Sequence, residues 1–481
     1  MELSPEQQLV FNKYVQGHNL FITGPGGSGK SALIKLIYNH AKSGFKEINV
    51  TALTGCAAIL LNCKATTLHS WSGIGIGDKT VESYITKIKK HKFLKEKWRK
   101  THILVVDEVS MFSLKLFNLL NEIGKAIRGN NKPFGGIQLI FSGDFYQLPP
   151  VGNSSDPDTQ RFCFESDEWN TVFHLNDQIE LKKIFRQTDE IYSAILNQIR
   201  EGKIKRKSVD LLMTYVGRDF SADLVVEPTK LYPTRNKVEL INLDRMSSLQ
   251  GAETEYKLKY IKDHDVTKAE REIRRQYNDQ DIQIELEFLA SNLMCEKVIK
   301  MKLGAHVMCI LNIKTEDGED VLICNGSQGI VTDFCEYTKC PKVKFNNGVE
   351  MIMAAHVWTS DKIPGIAVSQ VPLILSWALT IHKCQGITLD TAEIDAGSGI
   401  FECGQTYVSL SRVKNLNGLY LTSFDVTKIK INKKVKEYYD ALRLYHETKE
   451  LEPEPDKAAA DIIVENIPAK MDNNIKTIVF K

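Results

Sequence analysis

The sequence lacks several features that would place it in a class at once. No apolar run in its 481 residues is long enough to span a bilayer, and it shows no signal peptide. The ten cysteines are scattered without any C-x-x-C pair, so we expect reduced thiols inside a cell. The formal net charge is only +2, so nucleic acid could bind a local groove or patch but not a generally basic surface.

The absence of a targeting segment leaves the compartment open. We expect a soluble intracellular protein, with nucleus, cytoplasm, mitochondrion and a viral setting all unresolved. Cys324, Cys335 and Cys340 follow no common zinc-ligand spacing, so we expect no structural zinc. Met1 stands close to the first motif, which leads us to expect a chain near a minimal core. The length is enough for two or more domains.

The stretch "GPGGSGKS" at residues 24–31 carries the strongest chemical signal. It satisfies the pattern G-x-x-x-x-G-K-[ST], between an apolar run typical of a buried strand and a run with helical spacing. Such a loop turns its backbone N–H groups inward around phosphates at a helix N-terminus. We expect Lys30 to reach the β- and γ-phosphates and Ser31 to bind Mg²⁺. The predicted nucleotide-binding residues here are Gly24, Pro25, Gly26, Gly27, Ser28, Gly29, Lys30 and Ser31.

Two later strand ends supply the remaining groups that hydrolysis of a nucleotide requires. "ILVVDEVS" places Asp107 and Glu108 at the exit of a predicted strand, where ligands of parallel sheets gather. The first carboxylate suits the Mg²⁺ shell, and the second suits proton abstraction from water. "FSGDFYQLPPV" offers Asp144 and Gln147, and we expect Gln147 to sense the γ-phosphate.

Arg186 in "IFRQ" and Arg412 in "VSLSRV" belong to a second α/β pattern. An arginine presented across a domain interface can stabilise charge on a transferring phosphoryl group. If the nucleotide lies between the two α/β units, its hydrolysis changes their separation. Taken singly, each arginine is more often a surface or salt-bridge residue.

The alternation of strand and helix patterns predicts an α/β fold with an interrupted second unit. The predicted first domain spans 1–175, with a basic excursion at 74–100. The second comprises 176–243 and 366–435. Residues 244–365 form an insertion whose part at about 300–365 is rich in short β-like runs, and 436–481 form a tail that we expect to be loosely docked at most.

Several quoted stretches occur in an order that resembles the Pif-type (petite-integration-frequency) superfamily-one DNA helicases, relatives of RecD and Dda. They include "LSPEQ", "VTALTGCAA", "TTLHSWSGIG", "VVDEVSM", "WALTIHKCQGITLD" and "YVSLSRV", and residues 108–128 resemble the signature of the Pif branch. The resemblance covers roughly residues 1–430. It implies two RecA-like domains in tandem with ATP between them, a wedge in the first and an SH3-like insertion in the second. It also implies 5′→3′ movement.

The resemblance also assigns further residues. Gln7 matches the glutamine that reads the adenine edge, and Gly386 lies in the motif that links the ATP cleft to DNA. Trp71 has two open interpretations, base stacking and ordinary packing, and the basic stretch at 87–100 could contact DNA or form a solvated helix. The positions that match those holding a single strand are Thr54, Thr67, His69, Thr380, His382 and Lys383.

We therefore expect an ATP- and Mg²⁺-dependent helicase, monomeric, with single-stranded and tailed or forked duplex DNA as partners. Replication or repair proteins are further expected partners. A translocase that remodels protein–DNA complexes with little unwinding remains open. A P-loop switch or kinase is disfavoured, because "NKVE" at 236–239 lacks the aspartate of a guanine-reading motif and a kinase needs no second α/β unit.

Overall fold

The computed structural model describes residues 3–450, apart from 62, 76, 78, 188, 222–223, 315–320 and 361–362. Over these described residues, no helix has the combined length and apolarity that a bilayer crossing requires. Nor do three histidine, cysteine, aspartate or glutamate side chains of this part of the chain form a group able to hold a metal ion. The apolar stretch of the predicted tail, at 460–467, lies outside the described residues.

The first domain is a parallel sheet covered by helices on both faces. Its strands are β1 (Leu20–Thr23), β2 (Ile48–Ala52), β3 (Thr66–Thr67), β4 (Ile103–Asp107), β5 (Gln138–Ser142) and β6 (Gln178–Glu180). Its helices are α1 (Pro5–Val15), α2 (Lys30–Ser43), α3 (Gly55–Leu61), α4 (Leu68–Ser72), α5 (Val81–Lys90), α6 (Lys92–Lys100), α7 (Leu114–Arg128) and α8 (Trp169–Val172). The strands lie in the order β3–β2–β4–β5–β1–β6. Strands β1 and β4 are buried along their whole length, which explains their uninterrupted apolar sequences.

Strand β6 corrects a predicted boundary. The sequence suggests that the second α/β unit begins at residue 176, but β6 pairs in parallel with β1 and completes the first sheet. Without β6, the buried backbone N–H and C=O groups on the second edge of β1 would lack hydrogen-bond partners. The first sheet therefore extends to Glu180.

The basic excursion forms the helical pair α5–α6, which packs on α7. Trp98 of α6 is fully buried, and its ring centroid lies 4.5 Å from that of Trp71. Arg128 of α7 donates to the carbonyl oxygens of Trp98, Arg99 and Thr101, where α6 ends. The structure thus favours the packing interpretation of Trp71.

The second domain begins with helices and is interrupted after its first strand. Its first elements are α9 (Glu190–Arg200), α10 (Arg206–Met213), β7 (Thr229–Tyr232) and α11 (Arg235–Ser248). The insertion then contains β8 (Thr254–Lys257), β9 (Lys259–Ile261), α12 (Lys268–Arg274), α13 (Asp279–Asn292), β10 (Val298–Met301), β11 (His306–Cys309), β12 (Ile313–Lys314), β13 (Val321–Ile323), β14 (Gln328–Phe334), β15 (Pro341–Phe345), β16 (Glu350–Ile352), β17 (His356–Thr359), β18 (Ala367–Gln370) and β19 (Leu373–Leu375). The domain resumes with β20 (Ala378–Thr380), β21 (Ala392–Ala396), α14 (Gln405–Leu410) and β22 (Leu419–Phe424).

The second parallel sheet has the order β20–β7–β21–β22. The insertion contains a five-stranded antiparallel sheet of order β16–β15–β14–β11–β19. The predicted return to the second domain at residue 366 is too early, because β18 and β19 pair with insertion strands. Both strands are apolar enough to resemble buried parallel strands, so their sequence alone does not separate the two sheets.

A last helix, α15 (Lys433–Glu450), returns to the first domain. Val435, Tyr439 and Leu442 are at most 2% exposed and join the first-domain core. The predicted tail from residue 436 is therefore wrong over its first fifteen residues, because the spacing of these side chains gives α15 a buried face.

Candidate nucleotide site and single-strand positions

The loop at residues 24–29 connects β1 to α2 and requires glycine at specific points. Gly27 and Gly29 have φ values of 85° and 84°, in the left-handed region that side chains with a Cβ rarely adopt. A Cβ on Gly27 would lie 2.4 Å from the Cβ of Arg186. The loop is therefore packed directly beneath the segment that carries this arginine.

Lys30 opens α2 and folds back over the same loop. Its Nζ donates to the carbonyl oxygens of Gly24 and Pro25, at 2.7 and 3.0 Å. Burial lowers the pKa of Lys30, while the nearby charges of Asp144 and Glu108 oppose that shift. The ammonium group thus lies between loop carbonyls and carboxylates, in a position from which it can reach a bound phosphate.

Two carboxylates follow β4, as the sequence predicts. Burial, together with the charge of Glu108, raises the pKa of Asp107 to about 7. Glu108 has a φ of 57°, and its Oε2 accepts a hydrogen bond of 3.1 Å from Nε2 of Gln385 in the second domain. A buried carboxylate whose ionised form is disfavoured in this way suits a divalent cation, which would restore the ionised form.

Arg186 and Arg412 lie side by side against the loop. Arg186 NH1 and Arg412 NH2 would each be 3.7 Å from a Cβ placed on Gly26. Burial and the charge of Arg412 lower the pKa of Arg186 to about 10, and burial lowers that of Arg412. Among the described residues, both guanidinium groups hydrogen-bond to carbonyl or hydroxyl oxygens of residues 384–411 and neither forms an ion pair. Arg412 is buried and Arg186 is partly buried. Two neighbouring cations that lack an ion-pair partner among the described residues suit an anion.

Most of the predicted nucleotide residues line one cavity of about 740 Å³, but Gly24 and Pro25 are not among its lining residues. Gln147 lines it, and its Oε1 is buried without a hydrogen-bond partner in the described part of the chain. The predicted residues that line this cavity are Gly26, Gly27, Ser28, Gly29, Lys30, Ser31, Asp107, Glu108, Gln147, Arg186, Gly386 and Arg412.

Gln7 lies behind the loop, outside the residues that line the cavity. It is fully buried; its Nε2 donates to the Ser28 carbonyl oxygen at 3.4 Å, and its Oε1 accepts from the Ser4 N–H. This arrangement stabilises the start of α1 and the outer side of the loop. The adenine-reading role of Gln7 stays a prediction.

The residues expected to hold a single strand form two groups, one on each parallel sheet. Thr54 lies just after β2, and its hydroxyl accepts a hydrogen bond from the Ala57 N–H. Thr67 is the last residue of β3, and its hydroxyl accepts from the Ser70 N–H. His69 lies on the following helix, α4. Thr380 ends β20 and accepts from the Lys383 N–H at 3.1 Å. His382 and Lys383 are exposed just beyond it. Both groups thus lie at the carboxyl ends of strands.

The sequence interpretation missed two residues of the second domain that contact the candidate nucleotide site of the first domain. Gln385 donates to Glu108, and the Tyr407 hydroxyl accepts a 2.8 Å hydrogen bond from the Gly26 N–H. Both stand within motifs already quoted, "HKCQG" and "YVSLSRV", one and five residues from predicted site residues. Their position within these two motifs was therefore the sequence signal that could have identified them as site residues.

Comparisons with known proteins agree with this arrangement. A family model described as PIF1-like helicase matches residues 2–210, and one described as the 2B domain of DNA helicase Pif1 matches residues 286–334. The ATP-dependent DNA helicase RRM3 of Saccharomyces cerevisiae is 34% identical over an alignment of 520 residues, gaps included, that covers 92% of this chain and 68% of that protein. Human ATP-dependent DNA helicase PIF1 is 34% identical over 464 residues, covering 96% and 67%. The crystal structure of Pif1 helicase from Candida albicans is 35% identical with a TM-score of 0.69, covering 92% of this chain and all of that one. The chain therefore belongs to the PIF1-like helicase family.

Proposed function

We propose that this protein hydrolyses ATP between its two parallel-sheet domains and uses the cycle to move along single-stranded DNA and unwind duplex DNA. The observation that carries the proposal is the pair Arg186 and Arg412, which lies against the phosphate-binding loop and forms no ion pair among the described residues. Arg412 is buried and Arg186 is partly buried. Arg412 belongs to the second domain and the loop to the first. A triphosphate bound there would hold the two domains together, and its cleavage would loosen them.

The loop and Lys30 bind the phosphates in this proposal, and Ser31 and Asp107 hold Mg²⁺. The raised pKa of Asp107 and the hydroxyl of Ser31 in the same cavity fit a hard cation that prefers oxygen ligands. When bound, Mg²⁺ neutralises charge on the phosphate oxygens.

Glu108 accepts the proton of the attacking water, and Gln147 orients that water with its free amide oxygen. Arg186 and Arg412 stabilise the charge that develops on the transferring phosphoryl group. Gln385 holds Glu108 from the second domain, so the general base is in place only when the two domains are close.

Single-stranded DNA would lie across the two groups of strand-end residues. Hydroxyls, backbone amides and a few cations bind phosphates without reading sequence, as a translocating enzyme requires. The 5′→3′ direction is proposed from family membership. One chain supplies every residue named here, so we propose that the monomer is active, which light scattering on the active enzyme can check.

The proposal is tested by strand displacement on duplexes with a 5′ or a 3′ tail, with ATP hydrolysis measured in parallel with and without single-stranded DNA. We expect DNA-stimulated hydrolysis and unwinding of the 5′-tailed substrate only. Lys30→Ala should abolish hydrolysis and leave DNA binding intact, whereas Lys46→Ala, at an exposed site, should behave as wild type. Hydrolysis retained by Lys30→Ala would contradict the proposed site. Stimulated hydrolysis without unwinding would indicate a translocase that remodels protein–DNA complexes.

A further inference from the structure

The turn that carries Gln147 is built around a buried carboxylate. Asp144 is fully buried, and Arg200 of α9 donates to both of its oxygens, at 2.9 Å each. Asp144 also accepts from the Tyr146 N–H at 3.2 Å, and its carbonyl oxygen accepts from the Gln147 N–H at 2.9 Å. The backbone that presents Gln147 is therefore fixed by hydrogen bonds within the turn and by one cation.

Tyr439 of the C-terminal helix α15 reaches the same turn. Its hydroxyl accepts from the Phe145 N–H at 3.1 Å, and it donates towards Asp144 Oδ1 at 3.4 Å. The same hydroxyl is hydrogen-bonded to the hydroxyl of Thr23, the last residue of β1. Its ring is stacked on that of Tyr146, with centroids 4.7 Å apart and planes at 11°.

We infer that Tyr439 is a positioning residue for ATP hydrolysis, whose hydroxyl fixes the Gln147 turn relative to the end of β1. Thr23 immediately precedes Gly24, the first residue of the phosphate-binding loop, so one hydroxyl joins the loop that binds phosphate to the turn that senses it. A displacement of the reacting groups by about 1 Å can slow a reaction roughly a hundredfold, so a contact that fixes both segments should affect turnover. Burial near Asp144 raises the pKa of Tyr439, which keeps the hydroxyl protonated as a donor.

Helix α15, which carries Tyr439, is connected to both domains. The helix follows β22 of the second domain but packs on the first, and the connecting segment touches the second domain where the Gly404 N–H donates to the Lys430 carbonyl oxygen. Gln147 is thus held by an element attached to both domains.

The inference rests on the proposed function, and its test separates the two. In the full-length protein, Tyr439→Phe keeps the ring and removes the hydroxyl, leaving the Phe145 N–H unpaired. We expect kcat of DNA-stimulated hydrolysis to fall roughly tenfold, with KM for ATP and DNA affinity changed less than about twofold. Tyr445→Phe is the matched control and should keep wild-type kcat, because Tyr445 is partly buried on the same helix and its hydroxyl donates to Asn176 Oδ1.

Thr23→Val removes the same hydrogen bond from its other side and serves if Tyr439→Phe fails to fold. Tyr439→Phe also removes the contacts to Phe145 and Asp144, so its loss should be the larger. In the double variant we expect the two losses in kcat to be less than additive, because each single variant already lacks the Thr23–Tyr439 hydrogen bond. Normal kcat per folded molecule in both single variants, even with a lowered melting temperature, would overturn the inference and leave Tyr439 a packing residue. Absence of DNA-stimulated hydrolysis in the wild type would instead overturn the proposed function.

Discussion

At the scale of single residues, Gly404 shows how closely the two domains approach beside the candidate site. It lies at the start of α14 with a φ of 76°, and a Cβ there would be 2.6 Å from the carbonyl oxygens of both Tyr146 and Gln147. Real Cβ atoms do not tolerate such a distance to backbone, so any side chain here pushes the domains apart at the turn that carries Gln147.

Gly404→Ala should therefore lower kcat of ATP hydrolysis by about tenfold or more, since the second-domain arginine would withdraw from the loop. Gly348→Ala is the matched control, because Gly348 has a similar φ of 85° with nothing within 4 Å of its Cβ position. It reports backbone strain alone and should leave kcat unchanged. Equal kcat in the two variants would show that the contact at Gly404 has no part in hydrolysis.

A second prediction at the scale of single residues concerns Arg412. Arg412→Ala should bind nucleotide nearly as well as wild type and hydrolyse it about 10³-fold more slowly, because it removes charge stabilisation from the transition state. A fluorescent ATP analogue measures binding, and steady-state phosphate release measures turnover. Arg206→Ala, at a highly exposed ion pair, is the control. A near-normal DNA-stimulated rate in Arg412→Ala would remove this arginine from the mechanism.

At the scale of elements, the pair α5–α6 combines a packed face with a basic one. Trp98 is fully buried against Trp71 and donates its indole N–H to the Ser72 carbonyl oxygen at 3.1 Å. Several lysines of the same two helices, such as Lys89 and Lys92, are exposed. The element is therefore fixed to the first domain by its aromatic residues and presents exposed lysines to the solvent.

Trp98→Ala should destabilise the first domain by about 3–5 kcal/mol, the usual cost of deleting a buried aromatic side chain. Urea unfolding followed by circular dichroism provides the measurement. Phe93→Ala on the same helix is the control and should cost about 1 kcal/mol or less, because its ring is 37% exposed. A similar cost for both variants would mean that α6 is not anchored through Trp98.

At the scale of the whole molecule, α15 reverses an expectation about the C-terminal region. The sequence suggests a tail from residue 436 that is loosely docked at most, whereas α15 packs into the first-domain core and brings Arg443 into ion pairs with Glu180 and Glu201. Glu180 is also paired with Arg200, so α15 extends the buried charge network that holds Asp144.

A chain ending at residue 450 retains all of α15 and serves as the reference. A chain ending at residue 432 should lose several degrees of melting temperature and most of its hydrolysis, because it exposes the surface that Tyr439 covers. The two shortened proteins can be compared by calorimetry and by phosphate release. Full activity of the chain ending at 432 would contradict the role given to this helix.

The sequence by itself determined the features that depend on local chemistry. The apolar runs identified β1, β2, β4 and β5, because a buried parallel strand needs apolar side chains on both faces. The spacing of Gly24, Gly29, Lys30 and Ser31 identified the phosphate-binding loop, because backbone curvature and helix start are set within a few residues. The order of motifs indicated the family to which the chain belongs.

Only the tertiary structure decided which distant segments meet. The assignment of β6 to the first sheet and of β18 and β19 to the insertion depends on which edge each strand finds, and strand sequence carries little information about its partner. The contacts of Gln385 with Glu108, Tyr407 with Gly26 and Tyr439 with Thr23 join residues 277 or more positions apart. Such contacts exist because two separately folded sheets and a returning helix pack together, and no local pattern specifies that packing.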